Sequence, residues 1–273
     1  MRMTGVRERV VREPAVAGTF YPASPDRLRA MIRMFLDEAS VPALVRVRAV
    51  ISPHAGYVYS GPIAAHAYKV WEHAPQRPRT IYLMGPAHYE YVPGVALTRV
   101  SAFATPLGQV PVAEEIVDVL LDHGKPFLVS ESAHAPEHSL EVQLPFLQVV
   151  FTNHFRIVPM LFGQVNPMEV VPVLVDLLQA DPNALVVVSS DLSHYHDYWT
   201  ARRIDMATVE AIVQGDMEAV RRGEACGILP ILTLMGVAGR LGWTPHLLDY
   251  RNSGDTAGDK SRVVGYAAIA YTA

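Results

Sequence analysis

Val45-Arg46-Val47-Arg48-Ala49-Val50-Ile51-Ser52-Pro53-His54-Ala55-Gly56-Tyr57 opens with alternating residues and ends in a turn that carries a histidine. The alternation of apolar and charged side chains over 45–51 reads as a β-strand. Two more segments repeat the layout: Tyr82-Leu83-Met84 runs into Gly85-Pro86-Ala87-His88, and Val186-Val187-Val188 into Ser189-Ser190-Asp191-Leu192-Ser193-His194. Between such strands lie segments with helical spacing of apolar residues, at 62–73, 113–123, 168–179, 200–214 and 228–241. Strands are also expected at 156–162 and 263–271. Strands alternating with helices predict an α/β layered domain with a mostly parallel or mixed central sheet.

Loops leaving the carboxyl ends of strands in such a sheet converge on its ligand crevice. Three loops, each with a histidine close behind its strand, therefore bring His54, His88 and His194 near one another. An isolated histidine is more often a packed or solvated side chain than a ligand. The chain has 11 of them. Only the shared strand–turn–histidine pattern separates these three, and His66, His73, His123, His154 and His246 are taken as structural.

Cys226 precedes Gly227-Ile228-Leu229-Pro230, where a helix is expected to start. A thiol there faces the positive end of the helix dipole, which favours the thiolate that metals bind. The plainer reading is a small buried hydrophobe. Asp191 sits three residues before His194 and could orient that imidazole for acid–base work, or cap the turn leaving its strand. The polar run Glu137-His138-Ser139-Leu140-Glu141-Val142-Gln143 predicts that His138 and Glu141 line a pocket, with Ser139 a possible helix cap. Tyr57, which closes the first histidine turn, is placed in the pocket wall with them.

Composition narrows the function. Of the 273 residues, 50% are hydrophobic and 18% charged, with a net charge of −4, so neither nucleic acid nor an acidic membrane is an expected partner. A single cysteine rules out an internal disulfide and suits a reducing, cytoplasmic setting. The first residues carry arginines but no apolar stretch of the secretory kind. No run reaches the roughly 20 apolar residues that span a bilayer. No repeat or linker divides the chain, so residues 1–273 read as one domain.

Taken together, Pro14-Ala15-Val16-Ala17-Gly18-Thr19-Phe20-Tyr21-Pro22, the His54 and His88 turns, Glu137 to Gln143, Ser189 to His194 and Cys226-Gly227 resemble the Memo family. The match runs nearly end to end, and its motifs stand in family order. The resemblance implies the fold of class III (LigB-type) extradiol dioxygenases and a pocket in which His54, His88 and Cys226 hold one metal ion. Asp191 and His194 would stand beside it, with His194 where the dioxygenases carry an acid–base histidine. It further implies Fe(II), with Cu or Zn as alternatives, and in microbes an association with a radical-SAM protein and an AMMECR1-like protein. A thiolate in place of the dioxygenase carboxylate departs from that pattern. Three functions follow as expectations. The first is a non-haem metal oxidoreductase acting on a small molecule. The second is a non-catalytic module that uses the same pocket for a peptide or partner. The third, and weakest, is nucleophilic catalysis by Cys226 with His194 as base.

Overall fold

The computed structural model describes residues 9–72, 78–152 and 154–273; His73 lies outside them. In chain order the strands are β1 (Val11–Arg12), β2 (Val47–Ser52), β3 (Thr80–Pro86), β4 (Val95–Leu97), β5 (Ala102–Thr105) and β6 (Gly108–Pro111). There follow β7 (Phe127–Val129), β8 (Arg156–Phe162), β9 (Leu185–Ser189), β10 (His194–His196), β11 (Thr244–Asn252) and β12 (Val263–Thr272).

The main sheet runs β10-β12-β2-β9-β3-β8-β4-β7, with β11 also paired to β12. Its centre, β2-β9-β3-β8, is parallel. Antiparallel pairs flank it, β12 on β2 at one side and β4 on β8 at the other. The sheet is therefore mixed, and helices flank it as expected. β9 is buried along its whole length, which is why 185–188 reads as an unbroken apolar run rather than an alternation. A small second sheet, β1-β5-β6, sits apart.

Two groups of mutually packed helices cover the main sheet. Pro25–Glu38, Tyr57–Lys69 and Leu144–Phe151 form one; Pro167–Ala180 and Ile228–Leu241 anchor the other. Pro25–Glu38 buries Leu28, Ile32, Phe35 and Leu36, a stripe at helical spacing. Each such side chain contributes about 1.5–3 kcal/mol by leaving water. The next helix comes within van der Waals distance through Gly61, where a Cβ would meet the Phe35 ring at 2.4 Å.

Three local expectations are corrected. The helix anticipated at 62–73 spans Tyr57–Lys69, and Pro62 lies inside it rather than at its start. Gly56 is the N-cap, and the Ser60 hydroxyl donates to the Ala55 carbonyl at 2.8 Å, so the first turn forms before the proline. Ser139 caps no helix: its hydroxyl donates to the Pro86 carbonyl at 2.9 Å, and a 3₁₀ turn at Glu141–Gln143 leads into Leu144–Phe151. β11 is a strand the alternation did not announce. Most of its residues are half-buried, and Pro245 breaks its pattern.

Candidate metal centre

The parallel strands set the site. β2, β9 and β3 lie side by side and end level with one another, at Ser52, Ser189 and Pro86. Their loops carry His54, Asp191 and His88 to one edge of the sheet, the convergence expected of carboxyl-terminal loops. Pro86 is followed by Ala87, whose N–H bonds to the Phe162 carbonyl, so the His88 turn is tied to β8 as well.

Three imidazoles meet there. The ring centroids of His54 and His88 are 5.2 Å apart, those of His54 and His138 5.4 Å, and those of His88 and His138 4.7 Å, the last pair stacked. One ring nitrogen from each can be chosen so that all three lie within 4.8 Å of one another, a group that could hold a metal ion. His138, expected only to line the pocket, is thus in the middle of the cluster. Burial drives His54 down to about 3 and His138 to about 4, and in both a neighbouring imidazole adds to the effect. Both are neutral at physiological pH, with a lone pair free to bind.

The hydrogen-bond network decides which nitrogen carries that lone pair. The Ser189 hydroxyl donates its single proton to the Ser139 carbonyl at 2.6 Å, while its oxygen sits 2.8 Å from His54 Nδ1. Nδ1 must therefore be the donor, and Nε2 holds the lone pair. Gln143 reinforces this by donating to the same serine at 2.7 Å. His88 Nδ1 donates to Glu137 Oε1 at 2.9 Å, again leaving Nε2 open. Burial pushes the Glu137 carboxyl up, but the His88 imidazole and the N–H groups of His88 and Ser139 bring it down to about 2. A carboxylate behind a histidine is a common support for a metal ligand. Glu137, Ser189 and Gln143 were not singled out from the sequence. The signal lay within Glu137-His138-Ser139-Leu140-Glu141-Val142-Gln143, where spacing alone cannot tell which acid turns toward the site.

Cys226, expected as the third ligand, stands outside that group of three and beside one of its members. Its Sγ is 3.3 Å from His54 Nε2. With bonds of roughly 2.0–2.3 Å, two donors on one tetrahedral ion stand about 3.5 Å apart, so this spacing suits a shared cation. The thiol is pinned between β9 and the Ile228–Leu241 helix. Cys226 N–H donates to the Asp191 carbonyl at 3.2 Å, and Asp191 N–H points back at the sulfur at 3.3 Å. Gly227 permits the approach, since a Cβ there would meet Ser190 at 2.6 Å and the Ser189 carbonyl at 2.9 Å. The dipole argument for a thiolate does not carry through by itself. Burial and the nearby Asp191 carboxylate push the thiol up to about 12, so it stays protonated unless a cation offsets them.

Asp191 and His194 line one cavity of about 660 Å³ together with His138 and Phe20. The expected partnership between the two is altered. Asp191 Oδ1 accepts the His54 N–H at 2.8 Å, so the carboxylate clamps the His54 turn, and no hydrogen bond links it to the His194 imidazole among the described residues. Burial raises the Asp191 carboxyl above its ordinary range. Glu141 is corrected outright. It is fully buried, and its oxygens accept from Arg12, the N–H groups of Ala15 and Val16, and the Tyr21 hydroxyl. It secures the N-terminal segment instead of facing a ligand. Tyr57 lines a neighbouring groove beside Tyr21 and Arg27, and its hydroxyl donates to the Val142 carbonyl at 2.7 Å.

The family model for Memo-like proteins matches residues 12–270. This chain belongs to the Memo family. MEMO1 family proteins of Methanopyrus kandleri, Sulfolobus acidocaldarius and Ignicoccus hospitalis are 38%, 36% and 39% identical to it. The matches cover 95%, 96% and 96% of this chain and 98%, 99% and 99% of those proteins. An uncharacterized protein from Escherichia coli K12 has a similar fold, with a TM-score of 0.55 and 14% identity over 84% of this chain and all of that one. No helix among the described residues is long and apolar enough to cross a membrane.

Proposed function

We propose that this Memo-family chain is a metal-dependent oxidoreductase of dioxygenase-like type acting on a small molecule. His54, His88 and Cys226 would hold the metal and His138 would stand at its side. One observation carries the reading: His54 and His88, their Nδ1 atoms committed to Ser189 and Glu137, join His138 in a group that could hold an ion, with the Cys226 sulfur 3.3 Å from His54 Nε2. That donor set is borderline-soft and suits Fe(II), with Cu or Zn as alternatives. When bound, such an ion supplies a Lewis-acidic, redox-capable centre for a chelating substrate.

The chain's own residues provide the remainder. Ser189 and Glu137 fix the ligand tautomers, so no proton has to leave His54 or His88 on binding. The Cys226 proton is the one released, which makes metal uptake pH-dependent. His194, half-exposed in the cavity wall, would accept a proton from a substrate hydroxyl. Phe20, its ring centroid 4.8 Å from that of His138, supplies an apolar wall beside the cluster.

The test is oxygen uptake by iron-loaded protein across a panel of catechols and related phenols. The proposal expects turnover with at least one, lost in His194→Ala while the metal stays bound. No uptake across the panel from fully loaded protein would overturn the dioxygenase-like reading and leave a ligand-binding role for the same pocket.

A further inference from the structure

The cavity lined by His138, Asp191 and His194 is lined also by Arg262, an exposed side chain. Arg262 is the only Lys or Arg lining it, and among the described residues no carboxylate pairs with it. Its guanidinium carbon lies 5.1 Å from the centre of the Tyr195 ring, a cation–π stack that holds the side chain in place. Tyr195 is itself held unusually. It is one of three non-glycine residues at positive φ among those described, at 65°, and it interrupts the pairing of His194 and His196 with β12. Such a conformation costs on the order of 1 kcal/mol or more. The ring is exposed and lines the cavity, with no core to fill.

We infer that Arg262, stacked on Tyr195, is the specificity-determining residue of this cavity and selects a small molecule carrying a carboxylate in addition to its metal-chelating group. The inference rests on the proposed metal centre, since it needs a chelating head at the histidine cluster. A guanidinium fork matches a carboxylate through two N–H donors. A monoanion is favoured over a phosphate dianion for a reason of charge: no second Lys or Arg lines the cavity, and Asp259 does. Asp259 is not spent on Arg262, because its Oδ1 accepts from the N–H and hydroxyl of Ser261 at 2.9 and 2.8 Å.

The test titrates iron-loaded protein with the monohydroxamates of succinic to suberic acid, and with the alkyl hydroxamates of matching length. A series is used so that one member spans the cavity. The best acid is expected to bind about tenfold more tightly than its uncharged counterpart, as one charge-assisted hydrogen bond would give. Arg262→Gln should erase that preference without changing alkyl hydroxamate affinity, and Arg262→Lys should keep part of it. Equal binding of acids and alkyl compounds by the wild type, or an undiminished preference in Arg262→Gln, would overturn the inference. The same titration of EDTA-treated protein separates the two claims. A carboxylate preference that is independent of metal yet lost in Arg262→Gln supports the anchor and counts against the metal centre.

Discussion

Glu141 and His54 are both buried polar groups near the edge of the same sheet, and they have opposite accounts. Every lone pair of consequence on Glu141 is matched: a guanidinium at 2.7 Å, two backbone N–H groups and a phenol. His54 bonds to Ser189 through one nitrogen, while its other has the Cys226 sulfur at 3.3 Å as partner and belongs with two further imidazoles to one group of candidate ligands. A buried polar group with all partners present is building the fold. One whose partners on one side are themselves candidate ligands is prepared for something that arrives later. The motif from Glu137 to Gln143 sets His138, a member of the imidazole group, three residues from Glu141.

The comparison breaks most visibly in stability. Glu141→Ala leaves Arg12 charged and buried and strips partners from two N–H groups, so urea unfolding should show a loss of about 3–5 kcal/mol. The double variant Arg12→Met/Glu141→Met should recover only part, because the Ala15 and Val16 N–H groups stay unmatched. Metal bound per folded chain should not change in either.

His134 sharpens the contrast through pH. It is buried, with Nε2 donating to the Ala96 carbonyl at 3.0 Å, and burial lowers it from 6.5 to about 4. The unfolded chain therefore takes up a proton that the folded chain refuses. Stability holds above pH 6.5, falls as pH drops from 6.5 toward 4, and loses about 3 kcal/mol over that window. Subtracting the curve of His134→Gln isolates this slope; parallel curves would contradict the assignment.

On the site's side the effects are smaller and fall on the metal. Glu137→Gln removes the carboxylate behind His88 and should weaken metal binding about 10–100-fold in competition with a chelator. Ser189→Ala should act in the same direction through His54. Tyr89→Phe deletes an exposed hydroxyl 3.1 Å from His138 Nδ1 and should cost less than about tenfold. A larger loss there than in Glu137→Gln would mean His138 is a principal ligand and His88 a minor one.

Much of this was legible because the parallel strands do the assembling. A strand, a tight turn and a histidine, repeated, are local features, and the sheet converts them into proximity. The element pattern likewise yielded the α/β layers and the buried β9. What escaped depended on distant partners. Nothing near Glu141 in sequence announces Arg12, and nothing near Ser189 announces that its proton is spoken for by Ser139. Pro62 looked like a helix start because proline favours first turns, but the Ser60 hydroxyl and Gly56 had already started one. Cys226 shows the same limit in energetics: the helix dipole was visible, the burial that outweighs it was not.

Metal content per chain, measured by mass spectrometry under native conditions after exposure to iron, copper or zinc, addresses the centre directly. Wild-type protein should carry one ion, and His54→Ala/His88→Ala none, with both folding alike. An empty wild type, or a double variant that keeps its ion, would contradict the account.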